Sequence, residues 1–183
     1  TIDLHTTTTN MGLTVILNNT HRLTRQVACF LKQQNAQVKL IEEDVLDEES
    51  CHLNRLAPAG ITIEVGPIAN NVVSAELVEK THAMVIDVLN WNFKSDEKLL
   101  KKEYFKTIDT LYYPDEPGWY VHRSLEQNDF CELNPGDPIF ENLDGEIKTY
   151  QGQQRCYPFF INEAAYLENK MAMILAVKKD CFL

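Results

Sequence analysis

Two periodicities alternate along the first half of this chain. In TIDLH, Ile2 and Leu4 fall on one side and Asp3 and His5 on the other, the two-residue repeat of a half-buried strand. LTVIL, Leu13 to Leu17, is nearly all apolar and predicts a more deeply buried strand after a polar loop that ends at Gly12. From Thr20, read as an N-cap, HRLTRQVACFLKQQNA gathers Leu23, Val27, Phe30 and Leu31 on one helical face. VKLI, Val38 to Ile41, predicts another strand, and an acidic irregular stretch runs from Glu42 to about Ser50. GITIEVGP then reads as a strand stopped by Gly66 and Pro67. Ser74 caps a second helix, AELVEKTHAMVIDVLNWNF, with Leu77, Val78, Val85, Val88 and Leu89 turned inward. Strands alternating with helices predict a mainly parallel sheet of α/β class.

After KSDEKLL the texture changes. From Glu103 onward the pattern is strand-like with turn punctuation at YYPDEPGW and NPGDP, and LDGE at Leu143–Glu146 signals a hairpin. A boundary near Ser95 therefore separates residues 1–95, an α/β unit, from residues 96–183, a smaller β-rich domain. MAMILAV, Met171–Val177, is too short to span a membrane and predicts a core strand or helix segment.

Composition narrows the partners. The formal net charge is −10, from 27 acidic against 17 basic residues, a field that repels phosphate backbones and acidic lipid surfaces. Neither nucleic acid nor membrane is expected, and an anionic small substrate would need a local basic group. The five cysteines form no CxxC pair, which favours free thiols in a reducing cytoplasm over a disulfide framework. The start at Thr1, inside a strand pattern, predicts the later part of a longer protein.

Four residues stand out as candidate chemistry. His5 ends its strand on the polar face, where an open α/β sheet presents ligands; it reads either as a zinc ligand oriented by Asp3 or as a hydrogen-bonded core histidine. Glu64, near the end of an apolar strand, is either a partly desolvated base or a buried partner of an arginine. Arg55, in the loop CHLNRLAPAG, has the planar fork to hold a carboxylate, or is an ordinary surface arginine. Tyr166, in INEAAYLENK, either donates to a carbonyl or packs. The hydroxyls of Thr6–Thr9 read as a solvated loop or as orienting groups for water or ligand. No H-x-x-E or H-x-x-x-H pairing involves the remaining histidines, so no complete zinc site is legible.

Taken in order, IDLHTTTTNMG, GITIEVGP, NPGDPIF and YPFFINEAAY resemble the aspartoacylase group of the succinylglutamate desuccinylase/aspartoacylase family, zinc-dependent amidohydrolases. The likeness spans Ile2 to Tyr166. It implies a carboxypeptidase-like, mainly parallel α/β sheet, present in part, followed by the smaller β-rich C-terminal domain. It also implies that His5 is one zinc ligand, the others being an H-x-x-E pair upstream of Thr1. Glu64 then matches the catalytic base, Arg55 the arginine that binds the substrate carboxylate, and Tyr166 the tyrosine that the C-terminal domain adds to the substrate pocket. Two departures accompany this: the Arg55–Glu64 spacing is one residue shorter than in the animal enzymes, and Cys51 stands where some relatives carry a further tyrosine.

The implied reaction is hydrolysis of an N-acyl amino acid, foremost N-acetyl-L-aspartate, with zinc as cofactor and a homodimer among the expected states. Two other readings stay open: a deacylase for an aromatic or succinylated amino acid, and a truncated, non-catalytic paralogue acting as a binding module. On the first reading this chain alone neither holds zinc tightly nor turns over substrate.

Overall fold

The computed structural model describes residues 1–43, 53, 56–92 and 101–182. Its first half lays down strands β1 (Ile2–Thr6), β2 (Gly12–Leu17), β3 (Lys39–Glu42) and β4 (Ile61–Gly66) with helices α1 (Arg22–Gln34) and α2 (Ala75–Asn90). The second half adds β5 (Tyr104–Tyr112), β6 (Trp119–Val121), β7 (Pro138–Asn142), β8 (Ile147–Thr149), β9 (Tyr157–Phe159), a 3-10 helix (Ala164–Asn169) and β10 (Met171–Lys179).

Seven strands form one sheet in the order β1–β4–β2–β3–β5–β10–β9, and β6–β7–β8 form a second. From β1 to β5 the pairings are parallel except for β2 against β4, so the expected mainly parallel α/β sheet is present. β10 then pairs antiparallel with both β5 and β9, extending the same sheet with strands of the second half. Every residue of β4 is buried, because it has neighbours on both sides and covered faces. That suits the β-branched run ITIEV.

One face of the sheet packs on the helices, with Val15, Leu17, Leu40, Ile61 and Ile63 against Val27, Leu31, Met84 and Val88. The other face carries Met11, Ile16, Ile41, Phe105, Phe159 and Phe160. Alternation in β10 serves both sides of the second half: Ala172, Met173 and Leu175 join the core beneath the small sheet, and Ile174 and Ala176 face the phenylalanine cluster. Arg25 on α1 donates from Nε and NH2 to Glu42 Oε2 at 3.1 and 2.8 Å and from NH1 to the Phe182 carbonyl, tying α1 to β3 and to the end of the chain.

Several expectations shift by small, explicable amounts. Helix α1 is capped by His21, whose Nδ1 accepts from Leu23 N, rather than by Thr20, because Asn19 Oδ1 first accepts from His21 N and delays the helix by one residue. Ser74 caps α2 as the pattern predicts. β3 begins at Lys39, and MAMILAV is strand rather than helix. Val78 and Leu89 are not inward but 55% and 67% exposed. At about 100° per residue they lie about 100–120° round the helix from Leu77, off the stripe of Met84 and Val88 that meets the sheet. LDGE closes the β7–β8 hairpin, with Gly145 at a positive φ. The boundary at Ser95 and most of the acidic stretch lie outside the described residues. The cysteines described (Cys29, Cys131, Cys156 and Cys181) are free, and no described helix is long and apolar enough to cross a membrane.

Candidate functional site

β1 and β4 run parallel with His5 opposite Glu64 and Asp3 opposite Thr62. Residues paired across neighbouring strands point to the same face, and strands lie about 4.8 Å apart, so the two predicted residues stand side by side. They occupy the face away from α1 and α2. His5 is half exposed, and its Nε2 lies 3.1 Å from Oδ2 of the buried Asp3. A carboxylate at one ring nitrogen fixes the imidazole and leaves Nδ1 to meet a ligand, the usual support of a metal-bound histidine.

Glu64 is buried, and its Oε1 has no hydrogen-bond partner among the described residues. Burial pushes its pKa up to about 8, and the carboxylates of Glu163, Asp3 and Glu43 push in the same direction. A buried acceptor left bare is costly, and a ring of like charges compounds that cost unless a cation or a proton donor joins it. Glu43 is itself held, accepting from Asn18 Nδ2.

Within the threonine run Thr7 and Thr9 are buried and Thr6 is exposed. Thr7 N donates to Val65 O at 3.1 Å and Ile68 N donates back to Thr7 O at 2.9 Å, which folds the loop over the end of β4. Gly66 permits this: a Cβ there would stand 2.6 Å from Thr7 O and 2.8 Å from Thr9 O. The loop then grips the second half of the chain. Buried Glu163 accepts from Thr7 Oγ1 and from Thr8 N through Oε2, and from Ala165 N through Oε1. Thr8 Oγ1 accepts from Ala164 N at 3.2 Å. Glu163 is also the N-cap of the 3-10 helix that carries Tyr166.

Tyr166 is thereby brought to the same side of the sheet, its ring set edge-on against Phe160 with centroids 5.4 Å apart. Burial and the carboxylates of Glu43, Glu64 and Glu163 raise its pKa, so the phenol keeps its proton and remains a donor. The structure thus unites His5, Glu64 and Tyr166. Arg55 and Cys51 lie outside the described residues. Sequence reasoning missed Glu163 altogether; the signal was an acid three residues before Tyr166, in the N-cap position, matched to hydroxyls in the distant threonine run.

As a zinc site the described residues are partial. His5, braced by Asp3 beside an unpaired carboxylate oxygen, suits one place in a zinc coordination shell. No group of three or more His, Cys, Asp or Glu among the described residues could hold a metal.

The family description "Succinylglutamate desuccinylase/Aspartoacylase catalytic domain" matches residues 1–91, and "AstE/AspA barrel-sandwich hybrid domain" matches residues 101–178. A "Probable aspartoacylase" of Acaryochloris marina is 35% identical over 191 residues, covering 100% of this chain and 65% of that protein. An "N-acyl-aromatic-L-amino acid amidohydrolase (carboxylate-forming)" of Xenopus laevis is 31% identical over 100% of this chain and 64% of its own length. The crystal structure of murine aminoacylase 3 superposes with a TM-score of 0.88 at 29% identity, covering 97% of this chain and 62% of that one. The chain thus spans a little under two thirds of the relatives it matches. With both halves matched in order, it belongs to the succinylglutamate desuccinylase/aspartoacylase family.

Proposed function

We propose that the protein containing this chain hydrolyses the amide bond of an N-acyl amino acid, with Glu64 as the base and His5 as one ligand of a zinc ion. The observation that carries this reading is the pairing of His5 with Glu64 across β1 and β4, with Glu64 Oε1 buried and unpaired among the described residues. Residues 1–95 would supply the later part of the hydrolase α/β unit and residues 96–183 the β-rich domain that closes over it. The remaining zinc ligands would come from residues outside the described set.

Bound zinc would supply a Lewis acid that polarises the scissile carbonyl and eases deprotonation of water. The chain's own residues do the rest. Asp3 holds the His5 ring. Glu64, with a pKa raised to about 8, takes a proton from the attacking water and returns one to the departing amine; a base poised near neutrality suits both transfers. The Tyr166 phenol donates to the substrate from the side facing the second half. Arg55 would pair with the substrate carboxylate, supplying the positive charge that an acidic protein needs there. The free thiols fit a reducing cytoplasm.

N-acetyl-L-aspartate is the favoured substrate, on the likeness to probable aspartoacylases. An aromatic N-acyl amino acid is the second reading, on the Xenopus laevis relative. Both share the carboxylate read by Arg55, so competing substrates assayed on the full-length protein separate them. In that protein Glu64→Ala lowers turnover by at least about 10²–10⁴-fold while metal analysis still finds bound zinc. Persistent acetate release would remove Glu64 from the reaction.

A further inference from the structure

Two short segments of the second half meet where the threonine loop ends, and both hold backbone that few residues adopt. Gln127 and Phe130 in one, and Phe160 and Asn162 in the other, have φ of 53°, 64°, 51° and 60°. Non-glycine residues seldom enter this left-handed region, and for a bulky side chain it is an outlier. Such backbone persists only where its surroundings over-determine it. The second half is tied together here, with Phe130 N donating to Pro158 O at 2.7 Å. Lys39 adds a tie from β3: its Nζ donates to Met11 O at 3.1 Å and lies 4.8 Å from the centre of the Phe130 ring. At the centre of this junction is Asp129. Its Oδ2 accepts from Asn10 N at 2.9 Å and its Oδ1 from Ile161 N at 3.2 Å, and Asn10 Nδ2 donates to Gln127 O at 2.8 Å. Burial pushes the Asp129 pKa up, and the two amides it accepts from, with the charge of Lys39, pull it back. No step of the proposed hydrolysis uses this carboxylate.

The carboxylate joins two arms that both lead to the site. Asn10 lies five positions after His5, and Ile161 lies five positions before Tyr166. The same arms also meet where Thr7 and Thr8 donate to Glu163. One point of attachment leaves an arm free to pivot, whereas two fix its angle as well as its distance. The left-handed residues flank the second point on both segments, as expected where backbone is bent to aim one segment at another. We infer that Asp129 is a positioning residue: by holding Asn10 N and Ile161 N on one carboxylate, it sets the angle at which Tyr166 is presented to His5 and Glu64. The inference rests on the hydrolase reading and adds to it a group that touches neither substrate nor metal.

The test uses the full-length protein and Asp129→Asn, which offers one acceptor oxygen, so that one of the two amides meets an NH2 group instead. It should lower kcat/KM for the N-acyl amino acid by about 10–10²-fold, as a small misplacement of a substrate-facing group does, with zinc retained. In a Tyr166→Phe background the same substitution should cost less than about twofold, because the hydroxyl it positions is already gone. Hydrogen exchange of the Ala164–Asn169 amides should speed up by at least about tenfold as the second attachment loosens. Asp129→Glu, which keeps both oxygens and the charge but moves them by one methylene, is the second variant should the first not fold; the same dependence on Tyr166 is expected. The inference is overturned if activity stays full, if the loss is the same with and without the Tyr166 hydroxyl, or if those amides exchange at the unaltered rate. In each case the unaltered protein still turns over its substrate, which leaves the hydrolase reading standing. Unaltered protein that hydrolyses no N-acyl amino acid fails that reading instead, and the positioning role with it.

Discussion

Glu64 carries the chemical tension of the site in a single side chain. The strand that places it beside His5 also removes it from water, and the nearby carboxylates hold its pKa up to about 8. Below about pH 4.5, its ordinary value, the carboxyl is protonated in both folded and unfolded chains and costs little. Between about 4.5 and 8 the unfolded chain ionises while the folded one keeps its proton, so stability falls as pH rises. Above that window the full penalty, on the order of a few kcal/mol, is in place. Glu64→Gln in the chelated chain should therefore raise the Tm by several degrees at pH 9 and leave it unchanged at pH 4. Equal shifts at both pH values would mean that titration is not the cause. His5 and Glu64 were legible because period-two alternation marks which residues share a face. The bare Oε1 was not, since it depends on what the second half of the chain brings over the sheet.

At the scale of elements, the threonine loop and the 3-10 helix act as one latch. Thr7 donates to Glu163 in a buried contact, so removing either partner takes one buried hydrogen bond from the other. Removing Glu163 also leaves Thr8 N and Ala165 N without their acceptor. Thr7→Val and Glu163→Ala should each lower stability by about 1–3 kcal/mol, and the double variant should lose less than the sum. Urea denaturation of the four proteins checks this, and strict additivity would mean the two do not act through each other. Strands, helices and the α2 cap were readable from local pattern because each is dictated by its own residues. The antiparallel step between β2 and β4, the 3-10 helix and the exposure of Val78 and Leu89 were not, because each is decided by a neighbour distant in sequence. The last of these is informative: the apolar arc of α2 is wider than the sheet beneath it.

On the scale of the whole molecule, the site concentrates negative charge. Among the described residues, Asp3, Glu43 and Glu163 surround Glu64 in a protein whose net charge is already −10. The isolated 183-residue chain, purified in the presence of zinc and dialysed, should retain well under one equivalent by metal analysis. A stoichiometric ion would show that the chain completes a site by itself. The succession of an α/β half and a β-rich half was visible in the change of texture after Leu100, but their merger into one sheet was not, for β3 meets β5 through pairing that no local pattern announces.

That merger has a bearing on biosynthesis. The strands holding His5 and Glu64 leave the ribosome before the second half of the chain, and the acceptor for the Thr7 hydroxyl is translated 156 positions after it. Nascent chains therefore carry the histidine and the glutamate side by side with no tyrosine above them. Assembly of the candidate site is deferred until the second half is made, so a prematurely terminated product would present the pair without Tyr166 and Glu163.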